Sequence, residues 1–303
     1  MAEEIVVIGS MNMDLVVETD TVPQKGETVL GNEFHQIPGG KGANQALAAG
    51  KLGGKVNFIG ACGKDNYGDT LLSNLKKEGV NVKNVHRVNE NTGIASITIE
   101  KDGDNRIIVV PGANHSLTPN SISEHKEIIK KASVLLLQLE IPINTVEKAV
   151  NLADEFNTTI ILDPAPAQKL KSAIYKKIDY LLPNQGELDN LLNDNSMSIN
   201  KKINKLLDMG VKNLVLTKGK TGITVYNKNE TKNYETLNVK TVDTTAAGDA
   251  FAGALAYGLQ KKWDENKIYK FANKVAAISV TKIGAQSSLP TIKEVKSFSK
   301  KEV

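Results

Sequence analysis

Cysteine is nearly absent from this 303-residue chain, where Cys62 stands alone. An intrachain disulfide cannot form, and a thiolate zinc site or a dithiol redox site has no second ligand to use. Arginine is almost as scarce, with only Arg87 and Arg106. The net charge of +4 and the pI near 8.8 therefore come from scattered lysines, not from the forked guanidinium groups that read phosphate backbones. That balance reads as solubility and argues against a nucleic-acid partner. No apolar run approaches the roughly 18 residues a bilayer requires, the best being the short Val134 to Leu137. Glu3 and Glu4 lead straight into Ile5 to Ile8, without a basic region ahead of an apolar one, so no export signal is read. The expectation is a soluble, cytoplasmic protein in a reducing compartment, with no membrane partner. His35, His86, His115 and His125 show no metal-ligand spacing and receive no role. A dinucleotide fingerprint is missing too. Gly9-Ser10-Met11-Asn12 follows the first strand-like run where Gly-x-Gly-x-x-Gly would be needed, which counts against an oxidoreductase.

What is present is a core. Hydrophobic residues make up 40% of the chain, enough for one large domain or a large one with a small appendage. Short β-branched or leucine runs at 5–9, 56–60, 133–138, 159–163, 180–182 and 213–217 alternate with segments of helical periodicity. The latter fall at 43–52, 67–77, 122–130, 145–156, 201–209, 246–260 and 264–282. This alternation predicts an α/β fold, a mostly parallel sheet with helices on both faces. Residues 11–37 and 92–110 depart from it, carrying period-two alternation between turn residues. They are expected to pair as a small projecting β lid, with Gly39-Gly40 where it rejoins the body; two ordinary edge hairpins are the alternative. No repeat or linker divides the chain further, so residues 1–303 are expected to form a single domain.

Residues 243–260 read as a turn feeding a helix whose apolar face includes Phe251, Leu255 and Leu259. At its start Ala246, Ala247 and Gly248 have no bulk to block approach to the free N–H groups. These amides and the positive end of the helix dipole make an anion site. Asp249 follows in the first turn, where it can accept a hydroxyl proton, or simply complement the dipole. A second segment, Gly39-Gly40-Lys41-Gly42-Ala43-Asn44, precedes an alanine-rich helix. Its glycines let backbone approach a ligand, and Lys41 and Asn44 can hydrogen-bond a polyol. In the run from Met11 to Leu15 the period of two puts Asn12 and Asp14 on one face. Glu140 ends a core strand where open α/β sheets place ligands. On spacing alone, a solvated strand face and a loop acid remain open for these last three.

With Asp-Thr-Thr-Ala-Ala-Gly-Asp at 243–249 and Gly-Gly-Lys-Gly-Ala-Asn at 39–44, the chain resembles the ribokinase-type carbohydrate kinases nearly end to end. This family, also called PfkB, includes fructokinases and adenosine kinase. The resemblance implies ATP-dependent transfer of a phosphoryl group to the 5-hydroxyl of D-ribose, with Asp249 as base and the amides of 246–248 as anion hole. It places Asn12, Asp14, Gly40, Lys41, Asn44 and Glu140 on the pentose. Lys41 is the only base in these motifs, which fits a sugar that is not already phosphorylated. The resemblance further implies a nucleotide site drawn from Asn184, Glu187, Thr217, Gly219, Gly222, Gly248 and Asn273. Asn184 and Glu187 would stand near Mg2+, although Asn and Glu at that spacing also suit a helix cap. The segment 217–222 is by local rules a hairpin turn. A monovalent cation, K+, would use Asp243, Thr245, Ser279, Lys282, Gly284 and Ser288. A homodimer through the lids is implied as well. Other kinases of the family, acting on deoxyribose or fructose, and a non-catalytic sugar sensor are the alternatives.

Overall fold

The computed structural model describes residues 4–192, 194 and 196–298. The strands are, in chain order, β1 (Glu4–Ile8), β2 (Asn12–Thr19), β3 (Glu33–Gly39), β4 (Val56–Gly63), β5 (Asn81–Val88), β6 (Gly93–Glu100) and β7 (Asn105–Val110). There follow β8 (Ala132–Leu137), β9 (Thr159–Leu162), β10 (Tyr180–Leu181), β11 (Asn213–Thr217), β12 (Ile223–Tyr226) and β13 (Thr231–Tyr234). The helices begin with α1 (Lys41–Lys51), α2 (Asn66–Lys77), α3 (Pro119–Glu124), α4 (Lys126–Lys131) and α5 (Ile143–Glu155). They continue through α6 (Ser172–Tyr175), α7 (Gln185–Leu191), α8 (Ile199–Asp208), α9 (Ala247–Gln260), α10 (Glu265–Ser279) and α11 (Ile292–Ser297).

The main sheet has nine strands in the order β13-β12-β11-β10-β9-β8-β1-β4-β5. It is parallel from β5 through β11 and turns antiparallel at β12 and β13. Alternate residues of β1 explain why its sequence is continuously apolar. Ile5 and Val7 enter one hydrophobic cluster, Val6 and Ile8 the other, and each cluster is covered by helices. A parallel strand buried on both faces has no polar side to show. The strand order reverses about β1, which lies between β8 and β4. The crevice beyond the carboxyl ends of β1 and β8 is thus a topological switch point, where sheets of this kind bind ligands.

The two period-two segments do pair. A four-stranded sheet runs β3-β2-β6-β7, with β2 and β6 parallel and the outer pairs antiparallel. β3 ends at Gly39 and α1 begins at Lys41, so the small sheet rejoins the body at Gly39-Gly40. Two expected helices differ in extent. The segment 122–130 is divided into α3 and α4, because Pro119 and a Thr118–Ser121 capping box start a short helix and His125 leaves helical geometry. The last long helix stops at Ser279, where the Val280 carbonyl accepts the amides of Val242 and Asp243 instead of continuing a ladder.

Candidate active site

At the first turn of α9 the Ala247 amide donates to the Thr244 carbonyl at 3.2 Å, and no N-cap side chain covers the amides that follow. The N-cap, Ala246, sits in the left-handed region at φ 59°. That conformation costs a residue with a Cβ about 1 kcal/mol, and strain of this kind is retained where the surroundings impose it. A Cβ added at Gly248 would meet nothing within 4 Å. The helix start therefore opens directly on a cavity of about 200 Å3, lined also by Lys41, Asp163, Asn184, Glu187, Thr217 and Asp249. Three small residues at a helix N-terminus that carries no side-chain cap give this wall the chemistry to hold a phosphoryl group.

Asp249 is buried, and both its oxygens are held from α1. Asn44 Nδ2 donates to Oδ2 and Gln45 Nε2 donates to Oδ1, each at 2.9 Å. These bonds require α1 and α9 to approach closely, and glycines permit it. A Cβ at Gly253 would lie 2.6 Å from the Ala48 Cβ, and one at Gly42 would lie 2.6 Å from the Gly9 carbonyl carbon. Gly40, the N-cap of α1, adopts φ 86°, and a Cβ there would meet the Asn12 amide nitrogen at 2.7 Å. Gly40 and Gly42 thus serve close approach to the chain's own backbone at 9–12, where the sequence suggests approach to a ligand.

A second wall of the cleft joins β2, α1 and the turn after β8. Ser10 Oγ donates to Glu140 at 2.5 Å, and the Lys41 amide donates to the same carboxylate at 3.1 Å. Asn12 is buried, its Oδ1 accepting from Asn114 Nδ2 at 2.7 Å. Burial first, then the charges of Glu140 and Asp249, push the Asp14 carboxyl up to about 7. Burial also works against the Lys41 charge, but Asp249, Asp163, Glu140 and Glu187 outweigh it and hold its ammonium above the ordinary lysine value. Asp14, Lys41, Glu140 and Asp249 are therefore electrostatically coupled, and Asn44 joins them through its bond to Asp249, whereas Asn12 is tied to Asn114.

On the opposite side, Asn184 caps α7 and exchanges both capping-box bonds with Glu187, at 2.8 Å each. A parallel bridge ties Asn184 to Thr217, and both residues border the first cavity. They also border a second cavity, of about 530 Å3, with Gln185, Leu216, Lys218 and Thr221. The size suits a small-molecule site, and Asn184 and Thr217 stand between it and the first cavity as lining residues of both. The segment 217–222 is the expected turn, joining antiparallel β11 and β12 through a 3-10 turn. Gly219 and Gly222 lie in it outside both cavity linings, and Gly222 packs on the Tyr234 carbonyl. Asn273 lies outside them too, and its Nδ2 donates to the Tyr234 oxygen at 3.1 Å, fixing the chain after β13.

Of the cation residues, three are brought together. Asp243 Oδ1 accepts from the Thr245 amide and hydroxyl at 2.8 and 2.6 Å, and Oδ2 accepts from the Gly284 amide at 2.8 Å. Burial raises this carboxyl, but those donors prevail and hold it below its ordinary value. The hydroxyls of Ser279 and Ser288 bond back to carbonyls three residues earlier, and the Lys282 ammonium pairs with Glu294.

Sequence reasoning passed over Ser10, Gln45, Asn114, Asp163, Gln138 and Gln286. Gln286 Nε2 orients Asn44 through its Oδ1 at 3.0 Å, and Gln45 Nε2 also donates to Asp163 Oδ2 at 2.7 Å. Burial pushes the Asp163 carboxyl up to about 8 against the pull of Lys41, with Asp249 and Glu187 adding to the rise. A signal existed for Asp163, an acid closing an apolar strand at the same sheet end as Glu140. Gln286 had none, since it meets the site from far along the chain.

The family model described as pfkB family carbohydrate kinase matches residues 2–292. The chain belongs to this family. Among its curated pfkB relatives, the ribokinase of Lactococcus lactis subsp. lactis (strain IL1403) is 38% identical over 291 residues, covering 96% of this chain and 95% of the relative. The solved ribokinase of Thermotoga maritima is 40% identical with a TM-score of 0.90, covering 97% of this chain and 98% of that one. The Arabidopsis thaliana ribokinase, solved with ribose and ATP, is 31% identical with a TM-score of 0.92, covering 99% and 100%. The pfkB fold accounts for both the mostly parallel sheet and the small separate one.

Proposed function

We propose that this pfkB kinase phosphorylates D-ribose at its 5-hydroxyl with ATP, giving D-ribose 5-phosphate and ADP, and that Asp249 is the base. The observation that carries the reading is the position of Asp249, one residue past Gly248 at the uncapped start of α9 and bonded to Asn44 of the polyol segment. A hydroxyl held by Asn12, Asp14, Asn44 and Glu140 would present its proton to Asp249 while the amides of 246–248 receive charge on the transferred phosphoryl. Phosphoryl transfer asks chiefly for positioning and charge stabilisation, and this arrangement supplies both. Lys41, charged and facing the same cavity, adds to the second.

Glu187 and Asn184 offer oxygen donors on the cavity wall, the donor type a hard cation prefers, and they would hold Mg2+ directly or through water. Bound there, Mg2+ neutralises charge on the nucleotide phosphates. Asp243 and Thr245, with carbonyls near Gly284, would hold K+ beside the anion wall. The nucleotide would extend past Thr217 into the second cavity, with Gly219, Gly222 and Asn273 shaping the segment around it. We also propose one catalytic unit with its lid, paired as a homodimer through the lids and working in the cytoplasm. No helix among the described residues is long and apolar enough to cross a membrane.

An ADP-release assay across ribose, 2-deoxyribose, fructose and adenosine tests the substrate, with ribose expected to give the highest kcat/KM. Preference for any other acceptor overturns that choice. Asp249→Asn is expected to keep the melting temperature and ribose binding while losing on the order of a hundredfold or more in kcat. Turnover near the parent's would remove Asp249 from the chemistry.

A further inference from the structure

Gln45 is not among the residues lining the ligand cavity, yet both N–H groups and the oxygen of its amide are engaged. Its nitrogen donates to Asp249 Oδ1 at 2.9 Å and to Asp163 Oδ2 at 2.7 Å. Its oxygen accepts from Gln138 Nε2 at 2.6 Å. All four residues are buried. The orientation of each amide follows from the one before it. Asp249 and the acceptor oxygen of Asp163 place the nitrogen of Gln45 on their side, which turns its oxygen toward Gln138 and so requires the Gln138 nitrogen to face it. The remaining Gln138 oxygen then has no hydrogen-bond partner among the described residues, and it points to Gly9, where a Cβ would lie 1.9 Å away. A buried carbonyl without a partner costs stability. The chain of amides is therefore resolved in favour of the two aspartates, and the loss is displaced to the end farthest from them.

We infer that Gln45 is a positioning residue for phosphoryl transfer, locking the rotamer of Asp249 against Asp163, and that Gln138 in turn locks Gln45. Asn44 fixes the second oxygen of Asp249. With one N–H on each oxygen, the carboxylate cannot swing, and its remaining lone pairs face the cavity that Asp249 lines. The substrate hydroxyl meets an acceptor already in place, which removes reorganisation from the step. The charged groups around this unit are Asp14, Glu140, Asp163, Glu187 and Lys41. Lys41 is the cation among them, and the direct contacts to Asp249 are the N–H donors of Asn44 and Gln45.

The inference rests on Asp249 as base, and the experiment separates the two. Gln45→Met keeps the volume and removes both N–H donors; Gln138→Met leaves those donors but frees Gln45 to rotate. Turnover is measured per folded enzyme below each variant's melting temperature, with KM for ribose and ATP and calorimetric ribose binding. Gln45→Met is expected to lower kcat by about ten- to a hundredfold with both KM values within about threefold, the scale of a misplaced reacting group. Gln138→Met should fall between it and the parent. Unchanged kcat in Gln45→Met overturns the proposal, as does a loss that appears mainly in KM or in ribose binding. If Asp249→Asn retains full turnover, the reading of the base has failed. If Asp249→Asn is inactive and Gln45→Met is not, only the positioning role has failed.

Discussion

Asp163 holds a carboxyl where burial disfavours its charge, pushed up to about 8 from an ordinary 3.8. Asp14 follows it to about 7. An acid whose folded value lies above its unfolded one stabilises the fold fully below the unfolded value, and that contribution is lost as pH rises through the folded value. The unliganded protein should therefore lose stability between about pH 4 and pH 8, as the unfolded chain ionises these groups more readily. Asp163→Asn keeps an acceptor for Gln45 and removes the ionisation. Thermal melts from pH 5 to pH 9 should show a flatter profile for this variant and a higher melting temperature at pH 8. Parallel profiles would show that Asp163 does not carry the dependence. The position of Asp163 was readable as a strand end, but its burial was not, because the groups that enclose it come from α1, α7 and α9.

Among the elements, α1 and α9 decide whether the two signature segments become one site. Their glycines divide by what surrounds them. A Cβ at Gly253 would lie 2.6 Å from the Ala48 Cβ and 2.8 Å from the Gln45 carbonyl oxygen, so Gly253→Val should force the helices apart. Overpacking of this kind costs typically about 1–3 kcal/mol, and displacement of Asn44 and Gln45 should lower kcat with it. Gly248→Ala is the converse. Its methyl enters open space, so the melting temperature should hold or rise, helped by the about 0.5–1 kcal/mol that alanine gains over glycine in a helix. The methyl would still occupy the anion wall and lower kcat. Melting and turnover measured together separate the cases, and equal stability losses in both would contradict the packing argument. Local pattern carried most of this level: runs of β-branched residues marked the central strands, and small residues marked both signatures. It missed β5, whose burial is only partial at the sheet edge, and the break at His125. Neither leaves a clear period.

For the whole molecule, the small sheet proposed as a lid is the part whose surface is unaccounted for by its own fold. β2 and the inner half of β6 pack toward the body, but every residue of the edge strand β7 is exposed. Ile107 and Ile108 are 52% and 69% exposed, and Phe34 on β3 is 57% exposed. The sequence showed the alternation that makes these strands, and it could not show that both faces of β7 stay exposed among the described residues. An apolar, unpaired edge is an aggregation hazard unless another chain covers it. Ile107 and Ile108 alternate across the sheet, Ile107 sharing the face of Asp14 by register through Ile97 and Val16. Pairing the lids of two copies would cover β7 and close the sugar side of the cleft together. The double variant Ile107→Lys/Ile108→Lys leaves the body's core untouched, so its melting temperature should change little at low protein concentration. Sedimentation should show the parent as a dimer and the variant as a monomer, with the KM for ribose raised because the lid loses its support. A monomeric parent at assay concentration would rule out the lid dimer, and a variant that stays dimeric would move the interface elsewhere.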